Sequence, residues 1–184
     1  VLLCSAFLSE SISRYMAIEM GSSRPPYHIF CIMEYVCLVM FYSSYLPYKF
    51  YLQISATVLS VLSILNTLFI QDIYTIPTNV ILLTHFCFIL FSLLLFKEFF
   101  NNPGEENILK KDIFWLNSVV LIYNSGFLLI WPYFNYFAGI KSAESDSYIK
   151  TLTAINYINN MLYYCVLGGV IILAAIARNS KIAR

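Results

Sequence analysis

Six long apolar runs, at about residues 1–20, 27–47, 49–70, 76–97, 112–137 and 152–177, constrain this chain more than any other feature. Each offers the roughly 20 residues that a helix needs to cross about 30 Å of hydrocarbon. Inside a bilayer the backbone N–H and C=O groups have no water to bond, and a helix satisfies them within the segment. The predicted fold class is all-α: a polytopic transmembrane helical bundle forming one domain over residues 1–184. Composition agrees, with 60% hydrophobic and 11% charged residues, against about 45–50% and about 25% in soluble domains. The chain begins at Val1 with no signal-peptide n-region or cleavage site, which reads as a piece of a longer product with one more span upstream.

The breaks carry turn chemistry: GSSRPP at 21–26, YLPYK at 45–49 and QDIYT at 71–75, with longer polar loops expected at 98–111 and 138–151. In the first of these loops Asn102, Pro103 and Glu105 fit a capping box opening a helix. Trp115 at one end of the fifth run and Trp131, Tyr133 and Tyr136 at the other suit the membrane interfaces. With the C-terminus inside, Lys49, Lys97, Lys110, Lys111, Arg178, Lys181 and Arg184 are internal and only Arg24, Lys141 and Lys150 external. The positive-inside rule then predicts a cytoplasmic C-terminus in a plasma (inner) membrane.

Several function classes fall away. A net charge of +1 supplies no basic patch for nucleic acid. Cys4, Cys31, Cys37, Cys87 and Cys165 all lie in apolar runs without a C-x-x-C pair, as small packing residues do. His28 and His85 stand 57 positions apart, so no metal site and no cofactor is expected. Tyr-Asn-Ser-Gly at 123–126 lacks the preceding glycine and the later histidine of an intramembrane serine protease. Glu10-x-x-x-Arg14 matches half of the Glu-Glu-x-x-x-Arg motif of CAAX-type intramembrane endopeptidases, but Ser9 replaces the first acid and Ile81 the Phe expected before His85. No lysine lies in 152–177 for a retinal Schiff base. The chain does not read as an enzyme.

What remains is the depth of the polar groups. At 1.5 Å per residue, Arg14 lies about 9 Å, Glu10 about 15 Å and Glu34 about 10 Å below the outer ends of their runs, so the three could meet near one level. Glu10 and Arg14, four apart, share a helix face. Asn66, Asn79, His85, Asn124 and Ser125 fall in the same outer half, and Asn156, Asn159 and Asn160 share a face of the last run; Asn117 sits near the inner side. Intramembrane charges cost about 3 kcal/mol each and normally face a bundle interior. The expectation is a polar cavity open to the outside, with Arg14, Glu34 and His85 on its wall. Its ligand-binding set is Glu10, Arg14, Glu34, Asn79, His85, Asn124, Asn156, Asn159 and Asn160. The plainer reading is that the Asn and Ser groups bond helix to helix, with Ser5, Ser9 and Ser13 as a small-residue stripe. His28 is expected simply to snorkel at the interface.

The runs YHIFCIMEY (27–35) and FWLNSVVLIYNSG (114–126), with Asn79 between them, resemble an uncharacterised family of small bacterial multi-span proteins of about seven helices. That resemblance implies kinship with membrane input modules of sensor histidine kinases, and brings no catalytic residues with it. The expected function is a receptor-like or accessory membrane protein that binds a small ligand or lipid and signals to a membrane or cytoplasmic partner. The alternatives are a small transporter or channel subunit, or a structural subunit of a larger complex.

Overall fold

The computed structural model describes residues 2–22, 24–102, 107–140 and 143–182, with side chains from residue 7 onward except 134, 135, 138, 139, 143, 171, 174, 175 and 177–182. Among these residues there are six α-helices and no strand: α1 (Leu2–Met20), α2 (Pro25–Ser43), α3 (Lys49–Phe69), α4 (Thr78–Asn101), α5 (Asp112–Gly139) and α6 (Ala143–Ile182). A 3-10 turn at Ile108–Lys110 precedes α5. Among the described residues four helices are long and apolar enough to cross a membrane: α2, α3, α4 and the Asp112–Tyr133 part of α5. The chain is thus an all-α membrane protein. Four spans of the expected six are carried by length and composition.

The two remaining runs differ from a plain span for visible reasons. Helix α1 holds Glu10, Arg14 and Glu19 within its 19 residues, each a charge that costs about 3 kcal/mol at mid-bilayer. Helix α6 has 40 residues, about 60 Å of helix against about 30 Å of hydrocarbon. It absorbs most of the loop expected at 138–151. Its first turn carries Glu144 and Asp146, which favour a helix N-terminus, and no Gly or Pro interrupts residues 143–151.

Local chemistry sets the other boundaries. Gly21 follows α1 with φ 69°, a left-handed C-terminal position that glycine adopts without strain. Pro25 and Pro26 open α2, where a missing N–H costs nothing. At its far end the Ser43 and Ser44 hydroxyls donate to the Met40 carbonyl at 2.8 and 3.1 Å, and Pro47 then prevents continuation. Asn102 closes α4, its N–H bonding Glu98 O at 2.9 Å. The cap expected with Pro103 and Glu105 lies outside the described residues, as do Lys141 and Arg184, and the side chains of Cys4, Ser5, Arg178 and Lys181 lie outside the described ones.

The chain divides into two compact units, residues 1–87 and 88–184. In the first, α2 packs against both α1 and α3. Its core contains Tyr35, Leu38, Val39 and Tyr42 from α2 with Leu52 and Leu59 from α3. The opposite side of α3 exposes Phe50, Ile54, Val58, Leu65 and Leu68, the composition of a lipid-facing surface. In the second unit α5 packs along α6. Phe88, Ser92 and Leu95 of α4 are buried at three- and four-residue spacing, as are Asn117, Val120, Tyr123, Asn124 and Phe127 of α5. Asn117 Nδ2 donates to Ser92 O at 3.0 Å, joining α4 to α5.

Candidate functional site

Two neighbouring strips of α2 organise the first unit. Residues seven apart return to nearly the same side of a helix. His28, Tyr35 and Tyr42 form one strip, all buried, and it faces α3: Tyr35 Oη donates to Ser55 Oγ at 3.3 Å, and Cys87 also lies within hydrogen-bonding reach of Tyr35. Tyr27 and Glu34 form the adjacent strip. Tyr27 Oη donates to Glu10 Oε1 of α1 at 3.2 Å, so that strip faces α1.

The His28 strip ends in a polar clasp. His28 is only 6% exposed, with Nδ1 2.7 Å from Thr67 Oγ1 and Nε2 2.9 Å from the Thr75 carbonyl. A carbonyl only accepts, so Nε2 carries hydrogen. The expectation that His28 snorkels is therefore corrected: it ties α2 to α3 and to the α3–α4 turn. Arg24 Nη1 adds a bond to Tyr74 O at 3.2 Å. Asp72 shapes the turn by accepting from Tyr74 N at 2.7 Å. Beneath it Asn66, 5% exposed, donates to Gln71 Oε1 at 2.8 Å and accepts from Asn79 Nδ2 at 3.2 Å. Gln71 Nε2 in turn donates to Thr78 Oγ1 at 2.8 Å. Asn79 of the expected binding set is thus an exposed residue of this clasp. The heptad spacing of 28, 35 and 42 is the signal that could have put His28 inside.

The α1–α2 interface is different. Glu34 is 8% exposed, and among the described residues no hydrogen bond or ion pair reaches its carboxyl. Of the described α1 side chains, Ser9 and Ser13 are the buried ones, and both hydroxyls lack a hydrogen-bond partner. Ser11, Ser60, Ser63 and Ser118 each donate to the carbonyl four residues back; Ser9 and Ser13 do not. Glu10, Arg14 and Glu34 do not share one buried environment. Glu10 and Arg14 are exposed, and no ion pair joins the three. Small side chains let helices approach closely, so α1 turns its serine face inward, and Glu10 and Arg14, about 100° further round, stay outside.

His85, on α4 in this same unit, is 4% exposed, and Thr84 beside it is 2% exposed. In the second unit Asn124, 1% exposed, donates to the Val120 carbonyl of its own helix at 2.6 Å. Tyr123 Oη donates to Asn160 Oδ1 at 2.7 Å, and its ring stacks on Tyr163 with centroids 4.0 Å apart. The Asn159 amide lies over Gly126, where a Cβ would stand 3.6 Å from Oδ1. Asn156 Oδ1 and Asn159 Nδ2 are buried without a hydrogen bond. Glu10, Arg14, Glu34, Asn79 and His85 thus belong to the first unit, and Asn124, Asn156, Asn159 and Asn160 to the second.

In chemical terms the α1–α2 interface offers one carboxyl and two hydroxyls, all oxygen donors. The α5–α6 interface offers amides and stacked phenols. No family model matches this chain, and comparison with curated proteins and with solved structures finds no match.

Proposed function

We propose that this chain is a receptor-like or accessory membrane protein that binds a small ligand or lipid at the α1–α2 interface and passes a helix shift to a membrane or cytoplasmic partner. Glu34 carries the reading. An ionisable side chain inside an apolar span is costly, and where one is retained it marks a functional site by default. Helix α2 also touches both neighbours, so a ligand that moves α1 against α2 bears on α3 through Tyr35 and His28. In this reading α1 and α6 cross the bilayer too, and the C-terminus is cytoplasmic in a plasma (inner) membrane. The resemblance to bacterial multi-span proteins linked to sensor kinases supports the sensory role. A transport route would need polar groups continuing inward, and Asn117 is engaged with the Ser92 carbonyl.

Native mass spectrometry of the chain released from mild detergent tests this. A small molecule or lipid retained by the wild type and lost from Glu34→Leu supports it. The same bound species on both proteins, or none on either, overturns it.

A further inference from the structure

We infer that Glu34, with the Ser9 and Ser13 hydroxyls, forms a binding site for a monovalent inorganic cation of the sodium type; this rests on the reading of the α1–α2 interface as the binding site and names its ligand class.

The argument starts from what is unsatisfied. Buried polar groups are normally hydrogen-bonded, and exceptions call for an explanation such as an ion. Glu34, Ser9 and Ser13 are each more than nine-tenths buried, and both hydroxyls are without a partner. All three lie on helices that pack against each other, and Tyr27, on the Glu34 strip, already bonds α1. A helical serine can always give its hydrogen to the carbonyl four residues back, as Ser11 does at 2.8 Å. Ser9 and Ser13 make no such bond, and giving each hydrogen to that carbonyl would still leave the oxygen lone pairs free to hold a cation.

The donor set then selects the ligand. Three hard oxygens suit alkali and alkaline-earth ions, whereas transition metals favour nitrogen and sulfur. Among the described residues no three His, Cys, Asp or Glu side chains cluster; Glu10 is exposed and accepts from Tyr27, so Glu34 is the one buried carboxylate among the described residues of the two helices. One carboxylate neutralises one positive charge; a divalent ion would leave a net charge buried in an apolar span, which is expensive. The ion would bridge α1 to α2 through oxygens on both helices.

The test uses the full chain purified in detergent and a hydrophobic carbodiimide, which adds to a carboxyl group in apolar surroundings and is read by peptide mass spectrometry. Glu34→Gln fixes the background. The expected result is labelling at Glu34 that sodium chloride slows and that choline chloride of equal ionic strength does not. Ser13→Ala should raise the half-protecting sodium concentration by about tenfold, the loss of one oxygen ligand, and Ser9→Ala should do likewise. Labelling equally fast in both salts, no labelling at Glu34, or protection unchanged in both serine variants overturns the site. A molecule lost from Glu34→Leu in the mass-spectrometric experiment, without sodium protection here, would remove the cation and leave the ligand-binding reading standing.

Discussion

Within the first unit, the clasp around His28 and Asn66 and the interface around Glu34 are both polar regions on a membrane helix, and they are built in opposite ways. In the clasp each buried group has a partner of the matching kind, supplied by the turn between α3 and α4 and by the helix ends that flank it. At the α1–α2 interface the Ser9 and Ser13 hydroxyls are buried with none, and Glu34, 8% exposed, has no hydrogen bond or ion pair among the described residues. A turn can supply many donors and acceptors because its backbone is unpaired, whereas two helices facing each other have already bonded their backbones. The clasp has the chemistry of a structural joint and the interface that of the proposed binding site.

Removing a clasp residue should therefore hurt most. His28→Leu leaves the Thr75 carbonyl and the Thr67 hydroxyl without their shared partner, and should lower unfolding free energy by about 2 kcal/mol. Thermal unfolding in detergent measures it; a loss as small as that of an exposed substitution would reduce the clasp to a surface contact. Asn66→Leu should follow at about 1 kcal/mol, because Gln71 Oε1 still accepts from Asn79 N at 3.3 Å. If the clasp is one cooperative unit, the double variant should cost less than the sum of the two.

These residues also mark what could be read beforehand. The four apolar helices follow directly from run length, since nothing in a 20-residue apolar stretch competes with lipid burial. Glu34 was legible as a deep acid for the same reason. Its surroundings were not: Glu10 and Arg14 share a face by spacing alone, but which face of α1 turns inward depends on how closely Ser9 and Ser13 let α2 approach. The role of His28 is not legible in local sequence because its partners, Thr67 and Thr75, are 39 and 47 positions away. Residues 143–151 have the polarity of a loop, but they hold no helix breaker and form the first turns of α6. The two buried asparagines of α5 were located, but their partners, Ser92 for Asn117 and Val120 for Asn124, depend on packing that periodicity does not report.

The second unit offers a milder version of the clasp. Tyr123→Phe removes the bond to Asn160 while keeping the stack on Tyr163. A membrane helix-to-helix hydrogen bond averages about 0.6 kcal/mol, and the variant should lose about that much. Tyr123→Leu, which removes the stack as well, should lose more, since aromatic pairs contribute about 0.5–1.5 kcal/mol beyond their area. Equal losses would mean that the ring does nothing beyond holding the hydroxyl.

The smallest effect is the most informative. Breaking a pair that a buried charge depends on typically costs about 3–5 kcal/mol, whereas replacing an unpaired buried polar group by an apolar one of similar size is neutral or stabilising. Glu34 has no protein partner to strand, so Glu34→Gln and Glu34→Leu should leave the unfolding transition unchanged or raise it by about 1 kcal/mol in choline salts. In sodium salts the order should reverse, because the wild type alone gains from ion binding, and the gain grows with the logarithm of ion concentration. A large loss on removing Glu34 in both salts would mean that the carboxyl already has a structural partner, and the contrast between the filled clasp and the open interface would fail.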